Sequence, residues 1–248
     1  MKKTLTLFAI VFLAAIGSHA QTVEEVINKH LEAMGGVEKL KSLKSVYMEG
    51  VAVMQNGNEI ISKIYKVQDK LVRREIEFGM GSVTMIVTDK EGWSSNPRSN
   101  GAFEPLPKEA VEAQQIELDL AGPFVDYAAK GHKVELIGKE TIGSTEAYKI
   151  KLTPKTGKEI IYFIDTKDYY ITRQTLKGGG MFGGGGGQAR GNQGADAEVN
   201  INYSNYQKTP EGYVFAYALT MGNSGNNMNY EKIEVNKPVD EKLYKPVK

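Results

Sequence analysis

The chain has 248 residues, with 31 Lys and Arg against 30 Asp and Glu and no cysteine. That balance offers no electrostatic pull toward nucleic acid or an anionic membrane surface, and neither is expected as a partner. Without cysteine there are no disulfides and no thiolate chemistry, so an apolar core must hold the fold alone.

The chain opens Met1-Lys2-Lys3, runs apolar from Leu5 to Ile16, and reaches Ser18-His19-Ala20 before turning polar. A basic head, a short apolar stretch and small residues at the cut site predict a secretory signal peptide over residues 1–20, cleaved after Ala20. The apolar run is shorter than the ~20 residues a spanning helix needs. No later segment has the length or apolarity to span. A lipid-anchored product would carry Cys at the cut, where this chain has Gln21. Losing Lys2 and Lys3 leaves 29 basic against 30 acidic side chains, a net charge of −1. The expectation is one exported, periplasmic domain over residues 21–248.

Thr22 with Glu25 forms a T-x-x-E capping box, which satisfies backbone N–H groups at a helix start. Val23, Val26, Ile27, His30, Leu31 and Met34 then share one helical face, and Gly35-Gly36 supplies the stop. Val37, Leu40 and Leu43 predict a further short helix. From Ser45 the apolar period becomes two, and strands are expected over 45–54, 59–67, 71–78 and 82–88. Asn56-Gly57 between the first two is a hairpin turn. Arg74 shares the apolar face with Val72, Ile76 and Phe78. It either carries its head to water along a snorkelling stem or aims a charge into a pocket, and long Arg stems favour the first.

Residues 93–107 look irregular, and 108–121 look helical up to Gly122-Pro123. The apolar piece Phe124 to Ala129 completes a second set of covers. Strands resume over 132–137, 146–153, 159–165 and 169–177. Ile160 to Ile164 is apolar on both faces, which predicts a strand covered on both sides. The Gly-rich stretch 178–194 is expected to be a flexible loop. Three more strands follow over 198–206, 213–221 and 228–235.

The chemistry-bearing motifs are weak. Gly178-x-Gly180-x-x-Gly183 matches a dinucleotide fingerprint in spelling, but more glycines follow where a helix must begin. A Walker A loop and a G-x-S-x-G elbow are both absent from the sequence. His30 and His132 lack metal-ligand spacing, and His30 on an apolar helix face reads as a packed histidine. No cofactor, no metal site and no enzymatic activity are expected. The aromatic residues lie on alternating strand positions and read mainly as packing. A broad sheet with few covers also leaves room for an apolar hollow, and such concavity usually takes a ligand.

The segment Thr22 to Ser45, TVEEVINKHLEAMGGVEKLKSLKS, resembles the start of exported proteins of the LolA/LolB-like lipoprotein-carrier superfamily. The likeness is to the outer-membrane lipoprotein-sorting type found in Bacteroidetes-like bacteria. Gly131 to Glu140, Ala147 to Leu152, Tyr162-Phe163-Ile164-Asp165 and the tail from Ile233 through Asp240, Leu243 and Pro246 extend it over most of the mature chain. The resemblance implies a mostly β (α+β) fold: a large curved antiparallel sheet forming a half-open β-barrel, with helices over its concave face. It implies a non-catalytic carrier whose hollow takes up lipoprotein acyl chains or another lipid. The stretch 178–194 has no counterpart in the carrier pattern, and Arg73 and Arg74 are the nearest candidates for a lid-locking Arg.

On this reading the cavity-lining candidates are Met85, Val87, Tyr148, Ile150, Leu152, Phe215 and Tyr217. Val26, Ile27, Leu31 and Met34 would form the covering helix. The alternative is a cell-envelope interaction protein with a filled core, contacting another envelope protein through a strand edge or the Gly-rich stretch. The interior separates the two, because only a carrier needs a hollow.

Overall fold

A computed structural model of the protein describes residues 21–54, 56–79, 81–97, 100–156, 158–177, 198–222 and 227–246. Residues 1–20, where the signal peptide is expected, and the Gly-rich stretch 178–194, expected to be a flexible loop, lie outside the described residues. The capping box forms as its spelling requires: the Thr22 hydroxyl accepts from Glu25 N–H and the Glu25 carboxylate accepts from Thr22 N–H. It opens helix α1 (Val23–Ala33), which Gly35 and Gly36, both at positive φ, separate from α2 (Val37–Lys41).

Six strands follow, β1 (Ser45–Val53), β2 (Glu59–Val67), β3 (Leu71–Phe78), β4 (Gly81–Thr88), β5 (Gly92–Ser95) and β6 (Glu104–Pro105). Helix α3 (Lys108–Gln114) tightens into a 3-10 turn over Gln115–Leu118. Seven more strands then complete the order, β7 (Lys133–Ile142), β8 (Thr145–Thr153), β9 (Ile160–Asp165), β10 (Ile171–Lys177), β11 (Glu198–Lys208), β12 (Val214–Met221) and β13 (Asn227–Val235).

Among the described residues all thirteen strands join one curved antiparallel sheet, ordered β6-β5-β4-β3-β2-β1-β13-β12-β11-β10-β9-β8-β7. Two meanders thus run outward from a central pair, β1 and β13, the one pairing between strands not consecutive in the chain. The edges β6 and β7 do not meet, so the barrel stays half open, and the fold is mostly β as the sequence predicts. The connection from β6 to β7 must travel from one edge of the sheet to the other, and it does so across the concave face.

Register explains which side chains look inward. Met48, Ile64, Arg74 and Met85 lie opposite one another across β1 to β4, on the concave face. Tyr47, Tyr65, Arg73 and Ile86 form the neighbouring row, which faces outward because the side-chain period of a strand is two. The outer row packs under the C-terminal tail, where Arg73 donates to the Leu243 carbonyl at 3.2 Å. The main core lies on the concave side, where α1 and Phe124-Val125 cover Tyr148, Ile150, Leu152, Ile164 and Ile201. A smaller cluster of Met85, Val87 and Val111 sits beneath α3.

Two sequence expectations change. Residues 93–107 take in most of β5 and all of β6, strands too brief and too proline-marked to show a period. Arg74 does not reach water: it is 5% exposed and faces the concave interior. Ile160 to Ile164 is covered on both sides as expected, and on the outward side Phe163 is buried beneath the stems of Lys149, whose Nζ is 5.4 Å from its ring, and Arg173, whose Cζ is 6.0 Å from it.

A shift in pairing between Glu49 and Gly50 bends β1 against β13, as bulges do. A Cβ at Gly50 would stand 2.5 Å from the Asn229 carbonyl oxygen and 2.8 Å from the Tyr230 ring. Gly50→Ala should therefore destabilise by about 1–3 kcal/mol through overpacking of the central strand pair. Urea unfolding measures it, and an unchanged midpoint would contradict this account of the bend.

Candidate functional site

The edge-to-edge crossover builds the site. Pro107 to Pro123 passes over the concave sheet, and beneath it lies a cavity of about 610 Å³. That size falls within the ~300–1,000 Å³ of small-molecule and cofactor sites. Its floor is Val46 and Met48 of β1, Tyr162 of β9, Leu176 of β10, Tyr203 of β11 and Phe215 of β12. Its roof is Ala110, Ala113, Ile116 and Leu120 of the crossover. The exposed lining residues Pro107, Glu109, Lys158 and Glu159 mark a mouth between α3 and the β8–β9 turn. A second space of about 210 Å³ shares Met48, Lys66, Gln174, Tyr203 and Phe215 with the first. It continues toward Met34, Ile201 and Leu219.

Roof and floor are joined by charge. Lys66 Nζ and Arg74 Nη2 both donate to Oε2 of Glu117, at 2.5 Å and 2.8 Å, from β2, β3 and the 3-10 turn respectively. Burial alone pushes the Glu117 carboxyl up, but the two cations outweigh burial and hold it below its ordinary range. A carboxylate that bridges two strands fixes where the crossover lies. The expected helix over 108–121 stops being α-helical at Gln114 because the next turn is pinned. Gln115 donates to the Thr88 carbonyl at 3.0 Å, and Glu117 is held by the sheet cations.

The walls carry a few neutral polar points. Tyr203 Oη donates to Gln174 Oε1 at 2.8 Å, and Gln174 Nε2 donates to Tyr162 Oη at 3.4 Å. Burial pushes both tyrosine hydroxyls above their ordinary value, so they stay neutral. Gln114 is 6% exposed and lines the cavity, and its Oε1 accepts no hydrogen bond among the described residues.

Helix α1 is anchored beside the hollow by the β9–β10 turn. His30 Nδ1 donates to the Tyr169 carbonyl at 2.8 Å, and Lys29 Nζ donates to Tyr169 Oη at 3.2 Å. His30 meets Phe124 edge-on at 5.6 Å, and Phe124 meets Tyr162 of the cavity floor at 4.9 Å. A row of rings thus links the helix to the site. At the far end of the helical pair, Ser42 Oγ and Tyr213 Oη share a 2.7 Å hydrogen bond.

The residues singled out by sequence fall in three places. Phe215 lines the cavity, and Tyr217 packs half-buried against the main core. Tyr148, Ile150 and Leu152 lie buried in the main core below α1, with Val26, Ile27 and Leu31 packed into the same cluster. Met34, at the end of that helix, lines the smaller space. Met85 and Val87 sit apart, beneath α3 and Val111. Sequence reasoning missed Val46, Met48, Gln114, Glu117, Gln174 and Tyr203. The one available signal was Arg74 on an apolar face, since a buried cation implies a buried anion. Among the described residues no cluster of three or more His, Asp or Glu is placed to hold a metal, and no helix is long and apolar enough to cross a membrane.

No family model matches the sequence, and no curated sequence is significantly similar to it. Solved structures are similar in fold. A DUF1329 family protein from Desulfovibrio piger superposes with a TM-score of 0.57 at 12% identity, covering 91% of this chain and 98% of that one. A LolA superfamily protein from Nitrosomonas europaea gives 0.52 at 11% identity, covering 91% and 98%. The fold is LolA-like.

The anchor on α1 has a pH signature. Burial drives the His30 pKa down from 6.5 to about 4. The folded state therefore binds fewer protons than the unfolded one between those values, and stability must fall as pH drops from 6.5 toward 4. The loss attributable to His30 is ~3 kcal/mol, fully spared above pH 6.5. Urea midpoints for wild type and His30→Gln should differ most near neutrality and converge toward pH 4. A gap independent of pH would contradict the assignment.

Proposed function

We propose that the protein is a periplasmic, non-catalytic binding protein or carrier for acyl chains, either those of lipoproteins or those of another lipid. The observation that carries this reading is the hollow under the crossover, about 610 Å³ and lined chiefly by Val46, Met48, Ile116, Leu176 and Phe215. Burial of hydrocarbon there drives uptake at ~0.8 kcal/mol per CH₂, with no bond made or broken. The LolA-like fold and the sequence resemblance to lipoprotein carriers support the same ligand class. Export follows from the leader-like residues 1–20. Its two covers, α1–α2 on one side and the Glu117-pinned crossover on the other, are the elements that would shift to admit a chain.

Phe215 is half-buried at the margin of the main core and touches both spaces, so a charge there meets the ligand while its head keeps access to the open cavity. Phe215→Glu should lower the affinity for a fluorescent fatty acid by at least about tenfold, with the melting temperature near wild type. Equal binding by the folded variant would count against this cavity as the site. A wild-type protein that takes up no fatty acid would favour the envelope-interaction role instead.

A further inference from the structure

Holding the crossover needs one cation, yet two converge on it. Arg74, with its side chain 6% exposed, gives Glu117 a charge-assisted hydrogen bond at 2.8 Å, and Lys66 adds a second to the same oxygen at 2.5 Å. Among the described residues, the charged side chains that line the smaller space are these three, two cations against one carboxylate. The other charged residues of the larger space do not balance them. Glu109, Lys158 and Glu159 are exposed at the mouth, and Asp119 is paired with Lys130. The wall shared by the two spaces therefore carries a surplus positive charge, where charges away from water are ordinarily balanced.

Lys66 is the cation within a ligand's reach. It lies on the same face of β2 as Ile64, opposite Val46, and lines both spaces. Its side chain keeps 22% of its surface accessible, and on that face this surface opens into the hollow. An ammonium has three N–H groups. One goes to Glu117, and among the described residues no acceptor takes the others.

Resting on the acyl-chain reading above, we infer that the hollow selects a chain ending in an anionic group, a carboxylate or a phosphate, over one held as a neutral ester or amide. The anion lies against Lys66 Nζ where the two spaces meet and balances the cluster, while the methylenes lie along Ile116, Leu176 and Phe215. A neutral head leaves the ammonium with unmet N–H groups and the cluster with its surplus charge, and discrimination arises there. Of the two ligands proposed above, this favours a free lipid over a lipoprotein. Two sources supply the anion, a free fatty acid and a phosphate-headed lipid.

Three probes of matched chain length separate the cases: methyl laurate, which is neutral, laurate and dodecyl phosphate. At about pH 8 both acids are ionised. Isothermal titration of the wild-type protein should show one or both anionic probes binding about tenfold more tightly than methyl laurate. The probe that gains more identifies the source. Lys66→Met keeps the apolar stem and leaves Arg74 to hold Glu117. It should bring the three probes to similar affinity, with methyl laurate bound as by wild type. A preference for the anions that survives in the folded variant would overturn the assignment to Lys66. Equal binding of the three by wild type would overturn the inference and leave the acyl-chain reading standing, and binding of none would overturn both. The wild-type comparison decides even if the variant folds poorly.

Discussion

The hollow depends on one carboxylate. Glu117 reaches down from the crossover and takes Lys66 and Arg74 from adjacent strands on a single oxygen. Two buried or half-buried cations on neighbouring strands repel each other and cost desolvation, and that anion between them offsets both. The roof is therefore held at a fixed point by charge, while the apolar residues on either side of it need not touch the floor. Had the contact been Leu on Leu, dispersion would have drawn the crossover down and closed the space.

Topology supplies the crossover that bears this carboxylate. Because β1 pairs with β13, the two meanders grow outward in opposite directions and leave β6 and β7 at the extreme edges. Any link between those edges has to cross a face. The concave one is chosen because α3 and Phe124-Val125 carry apolar residues on one side only, and the outer face is already occupied by the tail around Leu243. The helical pair α1–α2 covers the rest, tied at Tyr169 and Tyr213. Core and cavity are thus divided along the sheet: filled beneath α1, open beneath the crossover.

Much of the fold is readable from local pattern. The Thr22–Glu25 box and Gly35-Gly36 delimit α1 without tertiary help, and period-two alternation, or in β9 a continuous apolar run, marks all but the two shortest strands. What alternation cannot give is register and partner. Nothing local says that β1 meets β13, and so nothing local brings Val46 and Met48 onto one cavity floor with Tyr203 and Phe215. Tyr148, Ile150 and Leu152 alternate as cleanly as any cavity lining, but the helix that fills the space above them is set by the His30–Tyr169 contact, 139 positions apart. Glu117 and Gln114, within a Glu- and Gln-rich helix, look like solvent-facing residues until the sheet cations and the floor are placed below them. Arg74 was the clue, because a cation in an apolar row calls for an acid from elsewhere.

Native mass spectrometry of the protein purified from the cells that make it, followed by solvent extraction, tests the central claim most directly. The account predicts a population carrying one lipid or acylated peptide, with mass lost on extraction and regained when the extract is added back. A protein that is bare as purified, and that takes up neither the extract nor a fatty acid, would contradict it.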